Sequence, residues 1–430
     1  MQILSFLIAA TLTAGALARF LSPFSDDSTI GRAATFSLKQ VRNPKFVRNG
    51  PIQLARIYHK YGVPLPDDLK AAVARIRGHA GKRSTGSAQT NPEKNDVEYL
   101  TPVSIGTPGQ VLNLDLDTGS SDLWVFSSLT TSSQVNGQTL YDPTKSTTAN
   151  QLQGYTWQIS YGDGSSSSGD VYTDTVTVGG VTFSAQAVQV AKTVSSEFTS
   201  DPANHGLLGM GFGSINTVEP VAQKTFFDNI MPDLDLPLFT ADLKRSAPGR
   251  YNFGYIDPSA YKGEITYVPV DNDSGFWAWT SPAYAIGSRN FGNTTLKGIA
   301  DTGASLFLLP SAAVSEYYGA VFGAKYDRSQ GAFTVPCDAS APDFTFVVGD
   351  HGATITVPGN YIKYAPIDDA GKTCFGGIQL DTGIGFSIFG DVALKSAFVV
   401  FNGGNRTIGW ATKAISSSGK DELKTTGSGA

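Results

Sequence analysis

Along most of this chain the apolar residues recur at every second position. Runs such as Val171–Val178 and Thr354–Val357 alternate in this way, and a period of two lines up every other side chain on one face of a strand. Turn signals fall between such runs, among them Gly162-Asp163-Gly164, Gly179-Gly180 and Asn402-Gly403-Gly404. The pattern predicts an all-β chain of short strands joined by tight turns. Helical candidates are few. Pro310–Gly319 is one, and upstream Arg56–Tyr61 and Ala71–Ile76 have helical spacing without internal breakers, separated by Pro64 and Pro66.

The ends of the chain depart from this pattern. A small-and-apolar run from Ile3 closes on Ala16-Leu17-Ala18, so residues 1–18 read as a signal peptide and the protein as secreted and extracellular. The run is shorter than the roughly 20 residues a spanning helix needs, so no membrane partner is expected. Residues 413–430 are rich in Ser and Gly and poor in apolar side chains, and are expected to be disordered. Lys420-Asp421-Glu422-Leu423 resembles a retention signal, but residues follow it, and it is not expected to act as one.

Charge divides the remainder. Residues 19–83 hold 13 basic and 4 acidic side chains, a net of +9, and finish in Lys82-Arg83; from Ser84 onward 19 basic face 33 acidic, a net of −14. This reads as a basic propeptide lying on an acidic body, which argues against a nucleic-acid partner.

Within the acidic body one signature occurs twice, as Asp117-Thr118-Gly119-Ser120-Ser121 and Asp301-Thr302-Gly303-Ala304-Ser305. Apolar residues lead into each: Leu114 and Leu116 in the first, Ile299 in the second. Each is answered downstream by two apolar residues and a glycine, Leu207-Leu208-Gly209 after 92 residues and Ile388-Phe389-Gly390 after 89. The repeat implies two β-lobes, residues 84–262 and 263–412, with the boundary near Tyr255–Gly263. A third triplet, Asp381-Thr382-Gly383, reads as lacking an apolar entry strand and a glycine motif of its own, and is expected to be a surface turn.

Taken together, the two triplets, the hairpin-like Trp157–Gly164 and the closing stretch from Phe389-Gly390-Asp391 to Ile408-Gly409-Trp410 resemble the pepsin family of aspartic proteases, in particular its secreted fungal branch. The resemblance runs from about Tyr99 to Ala411. It implies a bilobal pepsin-like fold with a cleft between the lobes, and a monomeric endopeptidase made as a zymogen that cuts peptide and protein substrates between mainly hydrophobic residues at acid pH. It also implies that Lys60-Tyr61 plugs the cleft with the ammonium between two catalytic carboxylates; a solvated basic helix is the plainer reading of that segment. By the same resemblance Thr118 and Thr302 lock the two signature loops together, and Trp124 hydrogen-bonds Tyr161 at the tip of a flap that turns at Gly162-Asp163-Gly164. Asp163 would pair with a substrate lysine. Cys337 and Cys374 are the only cysteines; in a secreted chain they read as one disulfide, placed in the second lobe by the resemblance and worth about 4 kcal/mol on the loop-entropy model.

The chemistry expected of Asp117 and Asp301 follows from placing two carboxylates in one site. They cannot easily both ionise, so the pair holds one proton over an acidic window, one member drawing a proton from water while the other donates to a peptide carbonyl. No cofactor or metal is called for. Gly119 and Gly303 would permit the turns and bring amides to the carboxylates, and Ser120 can donate to Asp117. Ala304 breaks the symmetry, because the resemblance implies a hydroxyl there. Asp115 shares the strand face of Asp117 and is either a cleft-lining acid or a satisfied structural carboxylate. Sequons at Asn272, Asn293 and Asn405 permit N-glycans. His205 and His351, the histidines outside the propeptide, lack metal-ligand spacing and a serine-nucleophile elbow. Asp115-Leu116-Asp117-Thr118-Gly119 mimics a haloacid-dehalogenase nucleophile only in part, since Gly119 fills its Thr/Val position. The remaining alternative is a pepsin-like peptide-binding protein without activity.

Overall fold

The computed structural model describes residues 35–43, 48–80, 99–160, 166–245, 247–271, 273–292, 294–350, 352–368 and 370–413. The expected signal peptide, Lys82-Arg83, the flap tip Tyr161-Gly162-Asp163-Gly164, Asn272, Asn293 and the tail from residue 414 lie outside them.

Strands dominate, as the alternation predicts. Val171–Val178 belongs to a longer strand, Ser166–Val178, which forms a hairpin with Val181–Thr193. Val178 faces Val181, leaving Gly179-Gly180 as a two-residue loop with φ of 59° and 93°. Positive φ at both positions is the turn whose twist matches that of the flanking strands, and a side chain would strain it. These two strands, Asn150–Ser160 and the segments carrying the first signature form a nine-stranded sheet.

A second sheet has six strands taken from both halves of the chain. Leu238–Asp242 and Arg250–Phe253 precede the expected boundary at 262, while Lys262–Pro269, Ala397–Asn402 and Thr407–Thr412 lie at or beyond it. The lobes thus share a sheet, and the line at 262/263 runs through it. Its face is aromatic: Phe239 stacks on Phe401 at 4.7 Å and on Phe253 at 5.6 Å, and Trp277 meets Phe401 at 5.2 Å while donating Nε1–H to Met210 O at 2.8 Å. Each such ring removes about 150–250 Å2 from water, so pulling the lobes apart would expose a large apolar face.

The second lobe is built from sheets of five, three and four strands around Phe307, Phe346, Phe389, Trp279 and Trp410. Cys337 and Cys374 are disulfide-bonded, joining the ends of the paired strands Ala332–Pro336 and Thr373–Gly376.

The N-terminal segment lies across both lobes. Its strand Phe36–Lys39 adds to the edge of the six-stranded sheet beside Arg250–Phe253, with Phe36 stacked on Phe253 at 4.4 Å. Its two helices, Gly50–Lys60 and Asp67–Ala80, are longer than their periodic cores. The first begins early because Asn49 caps it, Oδ1 accepting from Ile52 N at 3.2 Å, with Pro51 in the first turn where no amide partner is missed.

Candidate active site

Both signature loops hang from the same local device. The strand Gln110–Asp117 runs parallel to Gly206–Gly209, pairing Asp117 with Gly209, and Leu296–Ala300 runs parallel to Ser387–Phe389 just before Asp301. After each turn the chain returns antiparallel on the other side of the same central strand, as Leu123–Val125 and Phe307–Leu309. The downstream glycines have a spatial cause. A Cβ on Gly209 would stand 2.5 Å from Asp122 N, and one on Gly390 would stand 2.3 Å from Leu306 O. Only glycine lets the central strand end against the turn.

The loops meet across the lobe interface through their threonines. Thr118 Oγ1 donates to Ala300 O at 2.8 Å and Thr302 Oγ1 to Leu116 O at 2.6 Å, while each backbone N–H donates to the opposite hydroxyl at 3.1 and 3.0 Å. Four buried hydrogen bonds therefore fix one loop against the other. Gly119 N–H reaches Asp117 Oδ1 at 2.8 Å and Gly303 N–H reaches Asp301 Oδ1 at 3.0 Å. Neither glycine has a left-handed φ, so the turn itself does not require them, contrary to expectation. Close approach does: a Cβ on Gly119 would lie 2.6 Å from Asp301 Cγ, and one on Gly303 2.5 Å from Asp117 Oδ1.

Asp117 and Asp301 are fully buried, with the Lys60 ammonium between them. Nζ donates to Asp117 Oδ1 at 2.6 Å and to Asp301 Oδ1 and Oδ2 at 2.8 and 3.0 Å. The outer oxygens are treated unequally. Asp117 Oδ2 accepts from Ser120 Oγ at 2.6 Å, whereas Asp301 Oδ2 accepts from Tyr61 OH at 2.6 Å. Ala304 is buried and offers no hydroxyl, and Ser305 Oγ donates to Gln53 Oε1 at 3.1 Å.

These surroundings pull the two carboxyls apart. Burial raises both, but Lys60, together with hydrogen bonds from Lys60, Ser120 and Gly119, outweighs it at Asp117 and holds that carboxyl below its ordinary value. At Asp301 burial wins over Lys60 and is reinforced by the Asp117 charge, lifting the carboxyl to about 6. Burial disfavours the Lys60 charge, yet the two carboxylates more than offset it and raise the ammonium's pKa. Asp115 lies on the same cavity, of about 270 Å3, and burial followed by the Asp117 charge raises its carboxyl well above the usual range.

The cleft walls hold residues that the sequence did not single out. Tyr61 packs edge-on against Phe276 at 5.7 Å and Phe386 at 5.4 Å. Asp122, following the first signature, is a structural carboxylate whose Oδ1 accepts from Gln189, Asn216 and Thr217. The serine-serine-aspartate continuation of the motif was its only sequence signal. Trp124 is buried beside Trp157 and Phe198, and its Nε1 has no hydrogen-bond partner among the described residues. Tyr161 and Asp163 lie outside those residues. His205 is structural, Nδ1 accepting from Asn113 N at 2.9 Å, and Asn405 is exposed at a hairpin tip. The third triplet needs a correction, because an apolar strand, Ile378–Leu380, does lead into Asp381. Thr382 and Gly383 are nonetheless exposed, as expected of a surface turn.

Residues 98–413 match the family described as eukaryotic aspartyl protease. Over 414 residues the chain is 55% identical to endothiapepsin of Cryphonectria parasitica, covering 95% of this chain and 98% of the relative. It is 51% identical to aspergillopepsin-1 of Aspergillus oryzae over 95% of this chain and 99% of that one, and 50% identical to penicillopepsin-2 of Penicillium janthinellum over 89% and 93%. Among solved structures, an aspartic proteinase from Irpex lacteus superposes with a TM-score of 0.62 at 25% identity, covering 76% of this chain and 97% of that one. Among the described residues no helix is long and apolar enough to cross a membrane.

Proposed function

This chain belongs to the eukaryotic aspartyl protease family, and from that membership we propose that it is a secreted aspartic endopeptidase made as a zymogen, with Asp117 and Asp301 as its catalytic pair. The observation that carries the reading is one ammonium held at hydrogen-bond distance by both carboxylates, on loops locked together from opposite lobes. A water oxygen is close in size to an ammonium nitrogen. Once the propeptide leaves, a water at that point would bond both inner oxygens. With one proton on the pair, the ionised carboxyl takes a proton from this water as it attacks the peptide carbonyl, and the protonated carboxyl donates to the carbonyl oxygen. The gem-diol then collapses with a proton passed to the leaving amine, and no acyl-enzyme forms. The unequal surroundings of the two carboxyls favour a singly protonated pair, whose apparent pKa values belong to the pair.

Residues 19–83 serve as propeptide and inhibitor, with Lys60 and Tyr61 occupying the catalytic site. Asp117 is held below its ordinary value in this state, so its ion pair with Lys60 contributes fully above about pH 4 and is lost as pH falls through the lowered value. Asp301, raised to about 6, takes its proton earlier. Acid therefore removes both partners of an ammonium that stays charged, and the plug loosens. The Phe276–Phe386 pocket that receives the Tyr61 ring supports a preference for apolar and aromatic side chains next to the cut. Tyr161 at the flap tip, held by Trp124, closes over the substrate, and Asp163, with help from Asp115, admits lysine beside the cut.

Turnover of a denatured protein at acid pH tests this reading. The wild-type chain should cleave it and Asp117→Asn should not; an acid-processed wild type without turnover would refute it.

A further inference from the structure

Met210, Gly211 and Phe212, which follow the first answering glycine, run as a strip between the first signature loop and the segment Gly275-Phe276-Trp277. On one side Met210 N–H donates to Asp117 O at 2.7 Å, Gly211 N–H donates to Ser120 O at 2.8 Å, and Phe212 O accepts from Ser121 Oγ at 2.7 Å. On the other side Phe212 N–H donates to Gly275 O at 3.1 Å, and Met210 O accepts from Trp277 Nε1 at 2.8 Å. The fit leaves little slack: a Cβ on Gly211 would stand 2.9 Å from both Ser120 O and Ser121 Oγ. Trp277 reaches the second signature as well, because its carbonyl accepts from Ala300 N at 3.3 Å, one residue before Asp301. A single buried residue thus holds the backbone at both carboxyls, by its carbonyl on the Asp301 side and, through Met210, by its indole on the Asp117 side. Rings of Phe212 at 4.7 Å and Phe401 at 5.2 Å fix the indole in place.

We propose that Trp277 is a positioning residue of the peptidase, whose indole N–H sets the spacing of the two carboxyls by clamping the Met210–Phe212 strip. The inference rests on the reading of Asp117 and Asp301 as the catalytic pair and adds a residue that acts through their backbone. Trp277 and Met210 do not line the cavity that holds the carboxyls, so losing the indole donor changes geometry and not peptide binding. Met210 O is buried, and a buried acceptor left unpaired is costly; the strip relaxes to relieve it and draws Asp117 along. A displacement of about 1 Å in reacting groups costs up to about 100-fold in rate. It also weakens the mutual repulsion that separates the pair's two apparent pKa values: at an effective dielectric of about 20, drift from about 3 to about 4 Å brings them closer by about one pH unit.

The test compares mature wild type with three variants, each assayed for kcat, KM, the pH profile of kcat/KM on one peptide, and melting temperature. Trp277→Phe keeps a ring in the cluster and deletes the donor. Ser121→Ala deletes the other side-chain bond to the strip. Phe401→Leu thins the aromatic packing around Trp277 and leaves the strip's hydrogen bonds alone. Expected for Trp277→Phe is a loss of about 10- to 100-fold in kcat at unchanged KM, with the acid and alkaline limbs drawn together. Ser121→Ala should move the same way by less, whereas Phe401→Leu should lower the melting temperature and keep the wild-type kcat and limbs. Folded Trp277→Phe with wild-type kcat and limbs, or with changes that Phe401→Leu reproduces at the same melting temperature, overturns the clamp and leaves the peptidase reading intact. If Trp277→Phe does not fold, Ser121→Ala decides, and wild-type kcat and limbs there overturn the clamp. No cleavage by the wild type overturns both.

Discussion

Giving Asp301 the hydroxyl that Ala304 withholds should move the alkaline limb of the pH–activity profile downward. In the first loop Ser120 Oγ donates to Asp117 Oδ2 at 2.6 Å; in the second the matching oxygen, Asp301 Oδ2, is served by Tyr61 of the N-terminal segment, also at 2.6 Å. On the proposed maturation Tyr61 would depart with the propeptide, so the mature enzyme would carry a donor on one carboxyl and none from position 304 on the other. A donor favours the ionised form and lowers a carboxyl's pKa. The alkaline limb of kcat/KM reports loss of the pair's shared proton, and Asp301 is the member whose carboxyl is raised. A hydrogen bond to a charged group is worth about 1.5–3 kcal/mol, and one pH unit corresponds to about 1.4 kcal/mol, so Ala304→Ser or Ala304→Thr should lower the limb by about 1 to 2 units. Ser120→Ala, which removes a donor, should shift it the opposite way. The assay is kcat/KM against pH for the mature enzymes on one peptide, with thermal melting to establish that each is folded. Alkaline limbs that superimpose on the wild type in folded Ala304→Ser and Ala304→Thr would refute the reasoning.

Further outcomes follow from the plug, the charge division and the flap. Lys60→Met removes an ammonium bound by two buried carboxylates, an interaction whose loss costs about 3–5 kcal/mol; the zymogen should activate at higher pH and faster, measured as the appearance of peptidase activity after a pH jump. Maturation should cut near Ser84, after Lys82-Arg83, which N-terminal sequencing of the active form would contradict by finding a start near Arg19. Having lost a segment of net +9, the mature chain should lose stability above neutral pH as its carboxylates repel, and melting temperatures that stay flat from pH 5 to 8 would count against this. Asp163→Ser should lower the ratio of Lys to Leu cleavage, and an unchanged ratio would remove Asp163 from substrate selection.

Some features were legible in sequence because they are local or repeated. Alternation with glycine turns announced the strands, since a period of two and a left-handed two-residue loop are dictated within a few residues, as at Gly179-Gly180. The two signatures and their answering glycines could be paired across about 90 residues because the backbone around each admits no Cβ. Other features depend on which distant segments meet. The shared six-stranded sheet could not be read, because Leu238–Asp242 and Ala397–Asn402 carry no mark that they pair. Gly119 and Gly303 are required by the opposite lobe's carboxylate and not by a left-handed φ, and a contact of that kind leaves no local pattern. Phe276, Phe386 and Leu380 gained meaning only from the Tyr61 ring and the Tyr58 hydroxyl, seated on them by a segment 215 to 325 residues upstream. Strands and signature turns are set by short-range sterics and so are written in the chain, together with the two carboxyls able to share a proton. The unequal treatment of Asp117 and Asp301, through Ser120 on one side and Tyr61 on the other, emerges only on folding, because hydrogen bonding and desolvation depend on what lies within a few ångströms in space.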